Sequence, residues 1–418
     1  MILITILLVL FPAFQSKLLM VIEVFRHGAR EPVYDFWDAK TFREFGELTS
    51  VGMHQHYLLG QYIRKSYVED QPFLSQSYEA GEIYVQSTDL NRTIQSALSH
   101  LYGLFPLNEG ALLPMGIERK YLVPPIKGMS YGNESERIVE KTFGLNLGFQ
   151  PVPVLTSQEK DDVLLRPFMW SACPVAAMLE KIQKKSDKYT EWNEEFRSTF
   201  KEIEKIVNAT EKMTKSEINM EKSLRAYDVF YCDMFYNKKL PDNFTEALWR
   251  NLSFVADMHL FYGKTGTVQQ QRFQCHTFFE EIIEDFDGKL KDNLALKMKI
   301  FSAHDLTLAF LLTGLNLTSY SCLEEKFRKN QTSALNCFSY PSFAASLLIE
   351  LYLDEKTQNP FVMIKYNGEY VNLCEKAKKT CGYSEFKARL KGFMLDNFMQ
   401  FCKNKTRPLP SIYKYLFD

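Results

Sequence analysis

The chain has 418 residues, of which 46% are hydrophobic, 14% aromatic and 24% charged, a composition typical of a folded globular protein. This length predicts two or three domains of about 100 to 200 residues each. The 50 Lys and Arg residues and 51 Asp and Glu residues give a formal net charge of -1. This balance excludes a global electrostatic attraction to nucleic acid or to an anionic membrane, so an anionic ligand would need a local basic cluster.

An apolar run at the start of the chain has the features of an export signal. Residues 2 to 14 read ILITILLVLFPAF, and Ser16 and Lys17 follow. The run has the length of a signal-peptide core and is too short to span a bilayer. It lacks a leading Lys or Arg and a clean A-x-A cleavage site, so a buried first strand is the alternative. We expect a signal peptide over 1–16 and no membrane span in the mature chain.

The cysteines and the glycosylation sequons also favour an extracellular or lumenal protein. The chain has eight Cys, which allow about 105 complete pairings, so these residues alone do not fix the disulfides. No paired C-x-x-C spacing of the zinc type is present. The Asn-x-Ser/Thr sequons start at Asn91, Asn133, Asn208, Asn243, Asn251, Asn316, Asn330 and Asn404.

Strands and helices alternate in the first hundred residues. Residues 18 to 25, LLMVIEVF, predict a strand that is buried on both faces of a parallel sheet. A helical apolar period begins after Thr49, which is an N-cap candidate. A short strand over 82–87 is followed by Thr88 and Asp89 as cap candidates and by a second helix. The expected apolar face of that helix consists of Ile94, Ala97, Leu98, Leu101 and Leu104.

The middle of the chain interrupts this α/β pattern. Residues 116–250 contain Pro-rich loops and a long charged stretch with sparse apolar positions, which predicts a mainly helical cap. The sheet pattern returns over 296–303 and is followed by a helix from Asp305. Later apolar stretches predict antiparallel strands with a type I′ turn at Asn367 and Gly368. We therefore expect an α/β core over 17–115 and 251–418.

The first candidate site follows the first strand. Arg26, His27 and Arg30 lie in the sequence RHGAREP, where a buried strand meets a loop, and in open α/β sheets ligands bind at such strand ends. Arginine pairs bidentately with phosphate oxygens, and a neutral imidazole nitrogen can attack phosphorus. Taken alone, the sequence Arg-His-Gly can occur by chance, and the alternative interpretation of this one His and two Arg is a solvated end of a loop.

Two further sequences favour an anion site at the same edge of the sheet. Arg92, in STDLNRT, lies at the start of a predicted helix, where backbone N–H groups attract anions. His304 and Asp305, in SAHD, again lie where a strand becomes a helix. Each sequence alone fits a structural role, such as an N-cap Asp or a buried His, but all three are predicted at one sheet edge.

These motifs resemble the histidine acid phosphatases, the branch of the histidine phosphatase superfamily that includes acid phosphatases and phytases. The resemblance is carried by RHGAREP, GELTSVGMHQHYLLGQYIRKSY at 46–67, VQSTDLNRTIQSALSHLYGLFP at 85–106 and SAHD at 302–305. It covers most of 21–106 and 296–402 and is looser over the predicted cap. The resemblance implies a mixed, mostly parallel sheet flanked by helices, a phosphoglycerate-mutase-like core, with a helical cap insertion.

The resemblance also implies a role for each matching residue. His27 would be the nucleophile that becomes phosphohistidine, and Asp305 would protonate the leaving group. Gln86 and Asn91 depart from the residues common at these positions, Arg and Asp, which puts phosphate affinity or substrate preference in doubt. The residues implied to hold the phosphoryl oxygens are Arg26, Arg30, Arg92 and His304.

By the same resemblance, two disulfides are implied, Cys173–Cys402 and Cys374–Cys381. The remaining cysteines, for which no arrangement is implied, are Cys232, Cys275, Cys322 and Cys337.

The expected activity is metal-independent hydrolysis of phosphate monoesters without a cofactor, in a secreted or lysosomal protein. An acidic optimum is expected because Asp305 must carry a proton, whereas an unperturbed Asp titrates near 3.9. His54 and His56 form an H-x-H pair, but residues two apart on a helix do not share a face, which argues against metal ligation. His259 and His276 are interpreted as structural or exposed.

Two other functions are weighed. A phosphoglycerate-mutase-type transferase would use the same nucleophile, but that branch is cytosolic and lacks the His-Asp pair after the last core strand. A catalytically inactive binder of phosphate-bearing ligands is disfavoured by the presence of His27 and Asp305. The substrate, either a small phosphomonoester or a phosphopeptide, is left open, and a homodimer is implied only because family members are often dimers.

Overall fold

One sheet of eight strands organises the computed structural model, which describes residues 16–33, 45–130, 137–208, 217–292, 294–374 and 378–403. The strands are β1 (Ser16–Arg26), β2 (Ile83–Thr88), β3 (Leu155–Ser157), β4 (Met298–Ala303), β5 (Ser346–Asp354), β6 (Pro360–Tyr366), β7 (Glu369–Tyr370) and β8 (Thr380–Gly382).

Helices cover both faces of the sheet, and several lie within the range predicted for the cap. The α-helices are α1 (Ser50–Arg64), α2 (Asn91–Leu104), α3 (Pro174–Gln183), α4 (Asp187–Glu195), α5 (Arg197–Asn208), α6 (Ser223–Phe235), α7 (Glu246–Met258), α8 (Val268–Asp292), α9 (Asp305–Gly314), α10 (Tyr320–Lys329), α11 (Tyr383–Lys391) and α12 (Phe398–Cys402). Two π-helical segments, Lys65–Glu69 and His259–Lys264, continue α1 and α7.

The strand order is β3-β2-β4-β1-β5-β6-β7, and β8 pairs with β6. The first four strands in this order are mutually parallel, whereas β5 is antiparallel to both β1 and β6. Arg26 of β1 is in register with Ala303 of β4, and Ser87 of β2 is in register with Ser302 of β4. The carboxyl ends of β1, β2 and β4 therefore meet at one edge, and the predicted mixed α/β sheet is confirmed.

Strand β1 is buried on both faces, as its apolar sequence predicts. Ile22 and Val24 pack in one cluster with Phe278 of α8 and Phe310 of α9. Phe25 packs in a second cluster, on the face covered by α1 and α2. Because both sheet faces are buried, side chains at the end of β1 are held by rigid structure on either side.

Two local predictions are confirmed. Thr49 is the N-cap of α1, where its Oγ1 accepts a hydrogen bond from the Gly52 N–H at 3.2 Å. Asn367 and Gly368 have φ values of 50° and 86° between β6 and β7, as a type I′ turn requires.

The predicted caps of α2 are wrong. The N-cap is Leu90, in extended conformation and without a side-chain cap, because its carbonyl oxygen accepts the first helical N–H groups, those of Thr93 at 3.1 Å and Ile94 at 3.0 Å. The Thr88 side chain bonds to Thr93 and His304 instead. Leu98, predicted on the buried face of this helix, is 49% exposed.

The predicted cap contains most of its helices in its second half. Helices α4 to α7 share an apolar cluster that includes Trp192, Phe230 and Phe254, and α9 and α10, which follow the predicted cap in the chain, also contribute to it. The described residues between 116 and 173 are mainly irregular, and their strand β3 joins the core sheet beside β2. The range 116–250 for the cap remains a prediction, and residues 1–15 of the predicted signal peptide lie outside the described residues.

All eight cysteines lie in the described residues. The implied disulfides Cys173–Cys402 and Cys374–Cys381 are present. A third disulfide joins Cys322 and Cys337, which are 15 residues apart in the chain. The remaining two cysteines, Cys232 and Cys275, are buried free thiols. Within the described part of the chain, we find no helix with the length and apolar character needed to cross a membrane.

Helices α1 and α2 approach closely at glycines. A Cβ at Gly60 would lie 1.9 Å from the His100 carbonyl oxygen, and one at Gly103 would lie 2.1 Å from the Tyr57 carbonyl oxygen. Both contacts are far inside van der Waals range. The helix pair, and through it the position of Arg92 on α2, therefore depends on the absence of side chains here.

We expect Gly60→Ala to lower the free energy of unfolding by about 2 kcal/mol or more. Displacing a packed backbone carbonyl costs more than the roughly 1 kcal/mol that alanine gains in a helix. Urea denaturation measures the change. Gly81→Ala is the matched control, because no atom lies within 4 Å of a Cβ there. Equal stability of the Gly60 variant and the parent would contradict this packing.

Candidate active site

The backbone of His27 is fixed where β1 ends. Its N–H donates to the Ala303 carbonyl oxygen at 3.0 Å, and its own carbonyl oxygen accepts from the Ala344 N–H at 3.2 Å. The residue is thereby tied to the end of β4 on one side and to the approach to β5 on the other. Only 2% of its surface is exposed, so its ring has a defined position at the carboxyl edge of the sheet.

The His27 ring has one nitrogen available for nucleophilic attack. Its Nδ1 lies 2.9 Å from the Gly28 carbonyl oxygen. A carbonyl can only accept a hydrogen bond, so Nδ1 carries the proton and Nε2 keeps its lone pair. Gly28 is required by packing as well, since a Cβ there would lie 2.3 Å from the Gly52 carbonyl oxygen.

The surroundings keep this imidazole neutral. Burial lowers the pKa of His27 well below its usual value, and the charges of Arg26, Arg30 and Arg92 and the His304 ring lower it further. An imidazolium would be unfavourable beside three guanidinium groups. The three arginines therefore favour the neutral form of His27.

Arg26 is the most constrained of the three arginines. Its Nη1 donates to the Pro341 carbonyl oxygen at 2.6 Å, and its Nη2 lies 3.0 Å from Oδ2 of Asp305. The guanidinium carbon lies 4.4 Å from the ring centroid of Phe343. Burial would lower the pKa of Arg26, but the Asp305 carboxylate raises it, so this charge is permanent.

Arg30 is held by the predicted cap. Its Nη2 donates to Oδ1 of Asp228 in α6 at 2.7 Å, and its Nη1 lies 3.8 Å from the Cys232 sulfur. Burial would lower the pKa of Arg30, but Asp228 raises it. The same carboxylate accepts the Val33 N–H at 2.7 Å through Oδ2, and so anchors the loop that follows His27.

Arg92, as predicted, is in the first turn of α2. Burial lowers its pKa to about 10, and the neighbouring charges of Arg30 and Arg166 contribute. Its buried Nε has no hydrogen-bond partner among the described residues. A partly buried cation with repelling neighbours and an unused donor is suited to binding an anion.

His304 completes the group around His27. The two rings lie 5.6 Å apart, edge to face. The His304 Nε2 lies 3.0 Å from Oγ1 of Thr88 at the end of β2. Burial lowers the pKa of His304 well below its usual value, with a further contribution from Arg92, so this ring is neutral too.

The Asp305 carboxyl has a lower pKa than an unperturbed aspartate. Burial would raise the pKa of its carboxyl, but the Arg26 charge and a 2.7 Å hydrogen bond from the Tyr340 hydroxyl lower it to about 2. Without a bound phosphoryl group, Asp305 is therefore ionised even at moderately acidic pH. The pKa of this carboxyl lies below the unperturbed value near 3.9 because Arg26 and Tyr340 share one of its oxygens, a contact that the sequence does not show.

The structure brings the six predicted residues to one edge of the sheet and adds three that sequence reasoning missed. Asp228 holds Arg30, Tyr340 contacts Asp305, and Arg166 adds charge near Arg92 and His304. None belongs to a recognisable motif. Arg166 lies in an irregular loop and pairs with Glu159 at 2.8 Å, and the other two contacts join elements that are distant in sequence.

Four other histidines are either exposed or hydrogen-bonded to neighbouring groups. His54 is exposed, whereas His56 is buried on the opposite side of α1 and bonds through Nε2 to the Arg26 carbonyl oxygen at 3.1 Å. His259 Nδ1 lies 2.9 Å from the Tyr189 hydroxyl oxygen. His276 Nδ1 accepts the Leu395 N–H at 3.1 Å.

One grouping of candidate metal ligands occurs in the described residues. It consists of Cys374, Cys381 and Glu385. The two sulfurs form a disulfide, so they do not supply thiolates.

The fold and the site together define a class of protein. It has an open α/β sheet with a neutral histidine at its carboxyl edge, ringed by arginines and followed by a His-Asp pair on the next parallel strand. A model of the histidine phosphatase superfamily (branch 2) matches residues 17–367. The chain therefore belongs to this family, and the predicted resemblance is confirmed.

Known proteins similar to this chain are acid phosphatases in sequence and phytases in fold. Lysosomal acid phosphatase of Xenopus laevis is 30% identical over 316 residues, 73% of this chain and 64% of that protein. Rat prostatic acid phosphatase is 29% identical over 369 residues, 86% of this chain and 81% of that protein. The chain thus spans less than two thirds of the length of the Xenopus relative.

The likeness to solved structures confirms the fold alone. The phytase from Citrobacter braakii superposes with a TM-score of 0.60 at 15% identity, covering 91% of this chain and 99% of that one. A Klebsiella phytase gives the same TM-score at 13% identity, covering 92% of this chain and 97% of that one.

His56 bonds to the backbone of Arg26, and its burial makes the stability of the protein depend on pH. Burial, together with neighbouring His100, lowers its pKa to about 3. The folded protein thus keeps His56 neutral, while the unfolded chain takes up a proton below about 6.5. The stabilising contribution of neutral His56 is therefore complete above that pH and is lost as the pH falls toward 3.

His56→Asn should be less stable than the parent at pH 7, and the deficit should shrink by roughly 3 kcal/mol between pH 7 and pH 4. Chemical denaturation of both proteins across this range measures the difference. His54→Asn, two residues away on the exposed side of α1, should match the parent at every pH. A His56 deficit that stays constant with pH would contradict burial of the neutral ring.

Proposed function

We propose that this protein is an acid phosphatase that hydrolyses phosphate monoesters through a phosphohistidine on His27. The observation that carries the proposal is the hydrogen bond from Nδ1 to the Gly28 carbonyl, which leaves Nε2 free beside Arg26, Arg30 and Arg92. A nucleophile and a set of permanent charges for a phosphoryl group thereby meet at one point.

In the first step, Nε2 of His27 attacks phosphorus and the bond from phosphorus to the ester oxygen breaks. The departing oxygen takes a proton from Asp305. The phosphoryl oxygens are held by Arg26, Arg30 and Arg92, whose charges need no reorganisation during the reaction. In the second step, water attacks the phosphohistidine, Asp305 accepts a proton from that water, and phosphate leaves with Nε2 restored.

An acidic optimum follows from the substrate and Asp305 together. A phosphate monoester has its second pKa near 6, so below this pH it arrives as a monoanion with one proton. Asp305 is ionised in the free enzyme, and the phosphoryl charge beside Arg26 raises the affinity of Asp305 for that proton. The reactive complex therefore contains one proton, which the ester and the Asp305 carboxyl share. At alkaline pH this proton is lost, and with it the acid that protonates the leaving group.

The leaving group has space beside Asp305. A cavity of about 130 Å³ borders Arg26 and Asp305, and its lining also includes Leu224, Leu260 and Leu306. We propose that the alcohol or phenol part of the ester occupies it. We propose a small phosphomonoester or a phosphopeptide as the substrate.

We propose a secreted or lysosomal location. The support consists of the three disulfides, which persist in oxidising compartments, and of the lysosomal and prostatic relatives. The implied homodimer remains a prediction.

Purified protein should release phosphate from p-nitrophenyl phosphate at about pH 5, with or without a chelator, and His27→Ala should abolish this release because the nucleophile of the proposed mechanism is removed. Single-turnover labelling with a radioactive phosphoryl donor, quenched in alkali, should trap label on the parent and none on the variant. His54→Ala controls for loss of a histidine elsewhere. An active His27→Ala protein would refute the nucleophile.

Asp305→Asn should slow hydrolysis of an alkyl phosphate such as glycerol phosphate by about 100-fold or more, the usual contribution of a general acid. It should slow p-nitrophenyl phosphate less than about tenfold, because nitrophenolate leaves without a proton. Steady-state kcat for the two esters gives the comparison. Equal slowing of both would remove Asp305 from the role of acid.

A further inference from the structure

Tyr340 lies in the segment between α10 and β5 and is bonded at both ends. Its N–H donates to Oδ1 of Asp257 in α7 at 2.8 Å. Its hydroxyl donates to Oδ2 of Asp305 at 2.7 Å. The ring contacts the Tyr227 ring, with 5.3 Å between centroids, and lies 5.5 Å from the Arg26 guanidinium carbon. One residue thus links α6 and α7 to the Arg26–Asp305 ion pair.

The two oxygens of Asp305 have different surroundings. Oδ2 receives both Nη2 of Arg26 at 3.0 Å and the Tyr340 hydroxyl at 2.7 Å. Oδ1 receives the backbone N–H of Leu306 at 2.8 Å. A carboxylate oxygen accepts about two hydrogen bonds, so Oδ2 is filled by two donors while Oδ1 retains one acceptor position.

We propose that Tyr340 is a positioning residue for proton transfer: with Arg26 it occupies Oδ2 of Asp305 and leaves Oδ1 as the oxygen that carries the proton to the leaving group. The proposal rests on the proposed phosphatase function. In the first step the bond from Oδ1 to hydrogen breaks as the ester oxygen gains that proton. The resulting carboxylate is stabilised by two donors that are already in place.

The segment that carries Tyr340 is held in several places. The Cys322–Cys337 disulfide lies just before it, and Oγ1 of Thr318 donates to the Phe338 carbonyl oxygen at 2.7 Å. The next residue, Pro341, accepts Nη1 of Arg26 through its carbonyl at 2.6 Å. The hydroxyl therefore reaches Asp305 from a fixed backbone, so it can orient the carboxyl without ordering a loop during the reaction.

Tyr340 also affects the acidity of Asp305. A hydroxyl that donates to a carboxylate stabilises the ionised form, so its removal should make Asp305 hold its proton to higher pH. The other groups facing Asp305 come from β1, the loop after it, α2, α6 and the start of α9. They are Arg26, Arg30, Arg92, Tyr227 and His304. Substituting Phe at position 340 leaves all of them in place.

The test is the pH dependence of kcat for an alkyl phosphate in Tyr340→Phe, which keeps the ring and removes the hydroxyl. Hydrogen bonds to charged groups contribute about 1.5 to 3 kcal/mol. The basic limb of the pH profile, where kcat falls as the pH rises, should therefore move to higher pH by about one unit or more. At the acidic plateau, kcat for the alkyl ester should fall more than kcat for p-nitrophenyl phosphate, because only the former needs the oriented proton.

Tyr227→Phe is the matched control. It removes a hydroxyl from the ring that packs on Tyr340, and that hydroxyl makes no hydrogen bond to Asp305 in the described structure. Its basic limb should stay with that of the parent. In an Asp305→Asn background, Tyr340→Phe should cause no further loss that depends on the leaving group, because the carboxyl that it positions is absent.

A basic limb that does not move in Tyr340→Phe, or that moves equally in Tyr227→Phe, overturns the proposal while leaving the phosphatase function intact. A parent protein without phosphate release would instead contradict the proposed function. Should Tyr340→Phe fail to fold, 3-fluorotyrosine incorporated at position 340 keeps the shape and strengthens the donor. It should then move the basic limb to lower pH, and an unchanged limb would again overturn the proposal.

Discussion

The buried ion pair between Arg26 and Asp305 is the interaction on which the site depends. Arg26 ends β1, Asp305 begins α9 after β4, and the 3.0 Å contact joins the ends of two adjacent parallel strands. A buried guanidinium without a partner would be strongly destabilising, so in the free protein Asp305 provides that partner. A phosphoryl group brings a second negative charge to Arg26. Anion binding and protonation of Asp305 are therefore linked by electrostatics.

The other charged groups of the site destabilise the folded protein when no anion is bound. Three guanidinium groups surround His27, and burial further disfavours a charge on Arg92. Of these arginines, Arg26 and Arg30 have carboxylate partners, Asp305 and Asp228. The Nε atoms of all three arginines have no hydrogen-bond partner within the described residues. An excess of positive charge is unfavourable in an empty site and becomes favourable when an anion binds, a common trade between stability and function.

The sequence predicted what depends on local pattern and neighbouring strand ends. The apolar run of β1 and the cap at Thr49 follow from periodicity and side-chain chemistry, and the meeting of His27 with His304 follows from parallel strands that end at one edge. Contacts across distant chain segments were not predictable. Asp228 contacts Arg30 although the two residues are 198 positions apart in the chain. The pKa of Arg30 therefore depends on a packing contact that no sequence motif encodes.

Helix α6 shows why the predicted cap and the core cannot vary independently. Positions 224, 228 and 231 are four and three residues apart and share one face of this helix. Leu224 lines the cavity proposed for the leaving group, Asp228 holds Arg30, and the Tyr231 ring centroid lies 5.9 Å from the Arg26 guanidinium carbon. A substitution that reshapes the entrance by moving α6 would also move the partner of a phosphate-binding arginine. Substrate preference can therefore change at Leu224 with the phosphoryl site intact, whereas a shift of the whole helix alters both.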